Sequence, residues 1–158
     1  MSSKPRLLLA FVLAVLLASL LASIFQTQTN LAALQALGVP VPLDVRLGTT
    51  GIDLLGFAPT FILLSALGFL VALPLAVWFV RRMPKLRWPI FVLAGAMAIW
   101  SALALANAVA PMPTLIAADR SPFGTLGLMA CGSVGALLFG LLGRQVRYRT
   151  QPTSSDSL

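Results

Sequence analysis

Apolar positions fall into four long runs, residues 7–25, 60–80, 89–109 and 123–142, separated by polar or basic breaks. Each run holds 19 to 21 residues and no charged side chain. At about 1.5 Å of rise per residue, such a helix is roughly 28–32 Å long, the depth of a hydrocarbon core of about 30 Å. The runs are continuous rather than amphipathic, so they predict spans and not surface helices. The pattern describes an all-α integral membrane protein, a four-transmembrane-helix up-down bundle forming one domain over residues 1–150.

Residues 26–59 make the one substantial connection, an outer loop. Asn30 is a capping residue type ahead of a short helix over residues 31–37, closed by Gly38. From Val39 to Leu47 apolar residues alternate with Pro40, Pro42, Asp44 and Arg46. That period of two predicts an extended strip with one apolar face, held unpaired or at an edge by prolines that cannot donate. A turn at Gly48, Thr49, Thr50 and Gly51 follows. Thr50 with Asp53 then resembles a capping box for a helix through Leu54 and Leu55. The bundle is thus expected to carry a partly extended first outer loop, lying on the membrane surface or over the bundle's outer end. Asp44 and Arg46 would share one face of the strip as candidate partner-facing residues; a solvated pair is the plainer reading. The connections at residues 81–88 and 110–121 are too short for domains. The tail 151–158 is polar and expected to be disordered.

Charge gives the spans a direction. Nine of the eleven basic residues are Lys4, Arg6, Arg81, Arg82, Lys85, Arg87, Arg144, Arg147 and Arg149, all on one side of the predicted spans. The other side holds Arg46 and Arg120 against Asp44, Asp53 and Asp119. The positive-inside rule therefore places both termini in the cytoplasm, in a bacterial inner membrane or its equivalent. The same excess of cations is suited to anionic lipid headgroups. Trp78, Trp88 and Tyr148 fall near the inner interface, and Phe25, Phe57, Phe61 and Phe123 near the outer one, as interfacial anchors. The first run could be read as a signal peptide behind Lys4 and Arg6. It is longer than the usual core of about 7–15 residues, and cleavage after Ala22 or Ser23 would put leucine where a small residue is needed, so an uncleaved span is expected.

Composition narrows the chemistry. The chain of 158 residues is 59% hydrophobic and 9% charged, too few charges to coat a soluble domain. It has no histidine and one cysteine, Cys131, so imidazole-held metals and a two-thiol redox pair are excluded. Glutamate is absent, and the acids are Asp44, Asp53, Asp119 and Asp156. No catalytic residue, metal ligand or cofactor site is predicted, and the placement of the charges argues against nucleic acid. Asp44, Asp53 or Asp119 acting as an acid–base pair at the outer surface is the enzymatic alternative.

Helices in lipid associate through close packing of small residues. Each span carries such a row: Ala10, Ala14, Ala18 and Ala22; Gly68, Ala72 and Ala76; Ala94, Ala98, Ala102 and Ala106; Gly132, Ala136 and Gly140. Gly127, Cys131, Gly135 and Gly143 form a neighbouring row in the fourth. Pro74 removes a donor inside the second span and predicts a kink. Pro89 opens the third, and Ser121 with Pro122 caps the fourth. Trp100 and Asn107 are seven residues apart, about 20° around the helix, on the face away from the Ala94–Ala106 row. They are expected to face a second protein or another copy; lipid and interfacial water are the alternative.

The topology is similar in outline to that of claudin-like proteins, but their tryptophan-rich loop signature with paired cysteines is missing. The membrane-embedded glutamate of small multidrug transporters is missing too, and neither family takes in this chain. With packing surface and no reactive groups, the sequence points to a non-catalytic membrane protein, an accessory, assembly or scaffold subunit. The partners implied are the lipid bilayer and a membrane protein or a second copy. A small transporter or lipid-handling protein is the alternative, supplied with only Ser19, Ser23, Ser65, Ser101, Asn107, Thr125 and Ser133 as polar groups inside the runs.

Overall fold

The computed structural model describes residues 3–109 and 121–148. The second outer connection with Asp119 and Arg120, the polar tail and Arg149 lie outside them. The described residues are all-helical and contain no strand. Five helices follow in order: α1, Ser3–Ala36; α2, Leu43–Gly56; α3, Ala58–Arg82; α4, Arg87–Val109; and α5, Pro122–Tyr148, with a single 3-10 turn at Pro84–Leu86 before α4. All but α2 are long and apolar enough to cross a membrane.

The partly extended outer loop is corrected. Only residues 39–42 are non-helical between the turn after α1 and the start of α2. Asn30 caps nothing, because α1 runs straight through it for 34 residues. Gly38 does close the helix, at φ +82. Its N–H donates to the Gln35 carbonyl at 3.0 Å and the Val39 N–H to the Leu34 carbonyl at 3.2 Å, the paired bonds of a Schellman end. The alternation from Val39 to Leu47 misleads because its first half is set by two prolines. From Leu43 onward Arg46, Thr50 and Asp53 recur at helical spacing, and that period wins. The expected turn at Gly48–Gly51 is therefore the middle of α2. Thr50 does not cap either: its hydroxyl donates to the Arg46 carbonyl one turn back at 2.7 Å.

The long helices start where their chemistry allows. Ser121 Oγ accepts from the Gly124 N–H at 3.0 Å, capping α5 ahead of Pro122. Pro89 lies in the first turn of α4, where no intrahelical donor is needed. The α3 helix continues through Pro74, whose side faces outward.

The core is built on small residues. Ala10, Ala14, Ala18 and Ala22 are all buried, as are Ala76, Ala98 and Ala136, among Phe61, Phe69, Phe91 and Phe139. Helix α5 packs along α1 and α4, and α3 along the same two. A Cβ added to Gly135 would lie 2.6 Å from the Ala14 carbonyl oxygen and 2.8 Å from Ala18 Cβ. One added to Gly132 would lie 2.7 Å from the Gly95 carbonyl oxygen. At both crossings the helices meet backbone to backbone, a distance that only glycine permits.

Candidate functional site

At about 1.5 Å per residue α1 is some 51 Å long, well beyond a hydrocarbon core of about 30 Å. With its apolar run beginning at Leu7, the core thickness is used up near Gln26. The next ten residues, to Ala36, stand roughly 15 Å past that depth. Helix α2 folds back along this projecting end and makes a helical hairpin.

Three side-chain hydrogen bonds seam the hairpin. Thr27 Oγ1 lies 2.7 Å from Asp53 Oδ2, Gln28 Nε2 donates to Thr50 Oγ1 at 3.3 Å, and Arg46 donates to Gln35 Oε1 at 2.9 Å. Leu31 is buried between Gln28 and Gln35 on α1. Positions 28, 31 and 35 on one helix and 46, 50 and 53 on the other share the i, i+3/4, i+7 spacing of a single face. The Thr27 hydroxyl also lies 2.9 Å from the Ser23 carbonyl. Its one proton is shared between two acceptors, of which the carboxylate is the charged and stronger.

Below the seam, hydroxyls continue into the α1–α3 contact. Ser19 Oγ and Ser65 Oγ are 3.0 Å apart, both wholly buried, and lie 2.8 Å from the Val15 carbonyl and 2.7 Å from the Phe61 carbonyl; with one proton each, one hydroxyl donates across the contact and the other back to its own helix. Ser23 sits between this pair and Thr27, also buried, and its Oγ has no hydrogen-bond partner among the described residues. Ser19, Ser23 and Thr27 are four apart, a spacing visible in the sequence but masked there by the apolar run around them.

The outward side of the hairpin is apolar. No residue of α2 is buried. Leu55 is 82% exposed, Ile52 72% and Leu37 80%, with Leu43 and Leu47 also exposed. The helix is reversed relative to a soluble surface helix: Arg46, Thr50 and Asp53 turn to the protein, and Leu43, Leu47, Ile52 and Leu55 away from it.

Two expected partner-facing residues are rearranged by this. Asp44 is exposed, while Arg46 is half-buried and bonded to Gln35. Two positions apart in a helix, they point about 200° apart and share no face. Asp44 and Asp53 likewise fall on opposite sides of α2 and form no carboxylate pair. Trp100 is 49% exposed and lines an open, apolar groove of about 500 Å³ between α4 and α5, with Met97, Pro122, Thr125, Leu126 and Met129. Asn107 is half-buried. Of the packing residues, Gly132 meets Gly95, Ala136 is wholly buried, and Gly140 lies against the Phe91 ring. Gly95 lies outside the small-residue rows of the sequence, since it adjoins the alanine row rather than belonging to it. No family model matches the chain, and no curated protein or solved structure is found to be similar to it.

Proposed function

We propose that the chain is a non-catalytic, four-span membrane protein serving as an accessory, assembly or scaffold subunit, and that it meets its partner through the outer α1–α2 hairpin. The observation that carries this reading is the reversed amphipathicity of α2. Arg46, Thr50 and Asp53 are committed to α1, and Leu43, Leu47, Ile52 and Leu55 stand outward on a rod that continues past the membrane depth. An apolar surface of that kind outside the hydrocarbon region marks an interaction site.

The up-down arrangement has support from paired contacts. On α1 and α5, residue 14 meets 135 and residue 25 meets 127; on α4 and α5, residue 95 meets 132 and residue 91 meets 140. In each pair one number rises as the other falls, as neighbours of opposite direction require. The distribution of basic residues supports both termini on the cytoplasmic side, with the hairpin on the far side.

A photo-crosslinking residue at Leu43 or Leu55 is expected to trap one stoichiometric companion that also co-purifies in mild detergent. The same probe at Leu67, a lipid-facing position on α3, is expected to trap none. A monodisperse single chain with no hairpin cross-link would overturn the reading. The apolar groove beside Trp100 favours the second reading, lipid handling; stabilisation of that single chain by a lipid would mark it.

A further inference from the structure

The end of the molecule opposite the hairpin carries a second surface, built from charge and aromatic rings. Helix α3 ends on Arg81 and Arg82, the connecting turn adds Lys85, and α4 opens on Arg87 and Trp88. Arg81, Arg82 and Lys85 are exposed, and no ion pair or hydrogen bond engages them among the described residues. The acids among the described residues, Asp44 and Asp53, both lie on α2, at the other end of α3, a helix of about 37 Å. No acid occurs between residues 53 and 119. The positive charge of this end therefore has no counter-charge within the described chain.

The surface is ordered as well as charged. The Arg82 guanidinium lies over the Trp78 ring, 5.0 Å from its centroid, and Phe79 meets that ring edge-on at 4.9 Å. The cation is held by the face of the indole ring, and none of its N–H groups is bonded among the described residues, which leaves them for oxygen acceptors. Arg87 donates to the Gly140 carbonyl and lies over Trp88, so it ties the turn to α5. Half-exposed indoles at a span's end sit at headgroup depth, where the phosphates of the bilayer are.

The geometry points to an anionic-phospholipid site at this rim, in which Arg81, Arg82 and Lys85 hold the headgroup phosphate and Trp78 sets its depth. The positive-inside rule accounts for the presence of cations here; it does not account for a guanidinium held over an indole at the end of a span. The site rests on the four-span reading and is independent of the hairpin partner.

The test uses the full chain in a Trp100→Phe background, so that only Trp78 and Trp88 emit. It is reconstituted in phosphatidylcholine vesicles containing phosphatidylglycerol or phosphatidylcholine brominated near the headgroup end of the chains. Quenching by the brominated anionic lipid is expected to exceed that by the neutral one by about fivefold or more in apparent affinity. The preference should fall to near unity in Arg81→Gln/Arg82→Gln/Lys85→Gln, and also in the unsubstituted rim at 0.5 M salt. The salt arm needs no variant to fold. Equal quenching by the two lipids in protein that resists alkaline extraction would overturn the site while leaving the four spans standing. Extraction by alkali would overturn both. An oligonucleotide that binds the detergent-solubilised chain and displaces the anionic lipid would reassign the cations to nucleic acid and overturn the site.

Discussion

Gly132 shows how much a single side chain decides in this core. Its backbone lies against the Gly95 carbonyl and the Ile99 side chain, so α4 and α5 touch without an intervening methyl group. Gly132→Leu is expected to lower stability in detergent by about 1–3 kcal/mol, the usual cost of overpacking. Gly140→Leu should cost less, because Phe91 is a side chain that can move aside and a carbonyl is not. Thermal unfolding of both variants checks the order; a Gly132→Leu protein as stable as the parent would show that α4 and α5 do not pack there. The small-residue rows were legible because an i, i+4 repeat survives in any helix, whatever it packs on. The identity of the partner face was not. Gly95 and Gly132 are close only because two helices from different parts of the chain cross there, and spacing within one helix carries no record of a crossing.

At the level of elements, α2 divides the legible from the illegible. Its polar residues at 46, 50 and 53 announce a helix. Its glycines at 48 and 51, and the prolines just before it, announce a loop, and both signals occupy the same fourteen residues. Bonds to α1 decide between them, and the apolar run of α1 stops at Phe25, eleven residues before the helix does. Hydropathy reports where oil gives way to water; it does not report where a helix stops, and the polar stretch from Gln26 to Asn30 hid the continuation. The consequence is measurable. Neither Gly48 nor Gly51 has anything within 4 Å of an added Cβ, and neither has a positive φ. Gly48→Ala and Gly51→Ala should therefore each stabilise α2 by about 0.5–1 kcal/mol, read as slower amide exchange across residues 43–56. In a turn that needs positive φ the same changes would speed exchange, and that result would restore the loop.

For the whole molecule, the four apolar runs were legible to within a few residues at most ends, since length and the absence of charge are strong constraints in lipid. A reporter active only in the cytoplasm is expected to work after Arg149 or within residues 81–87 and to fail near Asp44. Activity near Asp44 would invert the molecule and place the apolar hairpin in the cytoplasm. The inner rim would then face the outside, where the anionic-lipid proposal has less lipid to act on.

Between Pro5 and Gly38 the first helix contains neither proline nor glycine, the residues at which helices bend sharply. Span and projecting hairpin are mechanically one lever, pivoted where α5 grips the alanine face. From Ala18 to Ala36 the arm is about 27 Å, so a tilt of about 5° carries the far end roughly 2 Å sideways. Whatever binds the outer tip is thereby coupled to the slant of the span in the bilayer.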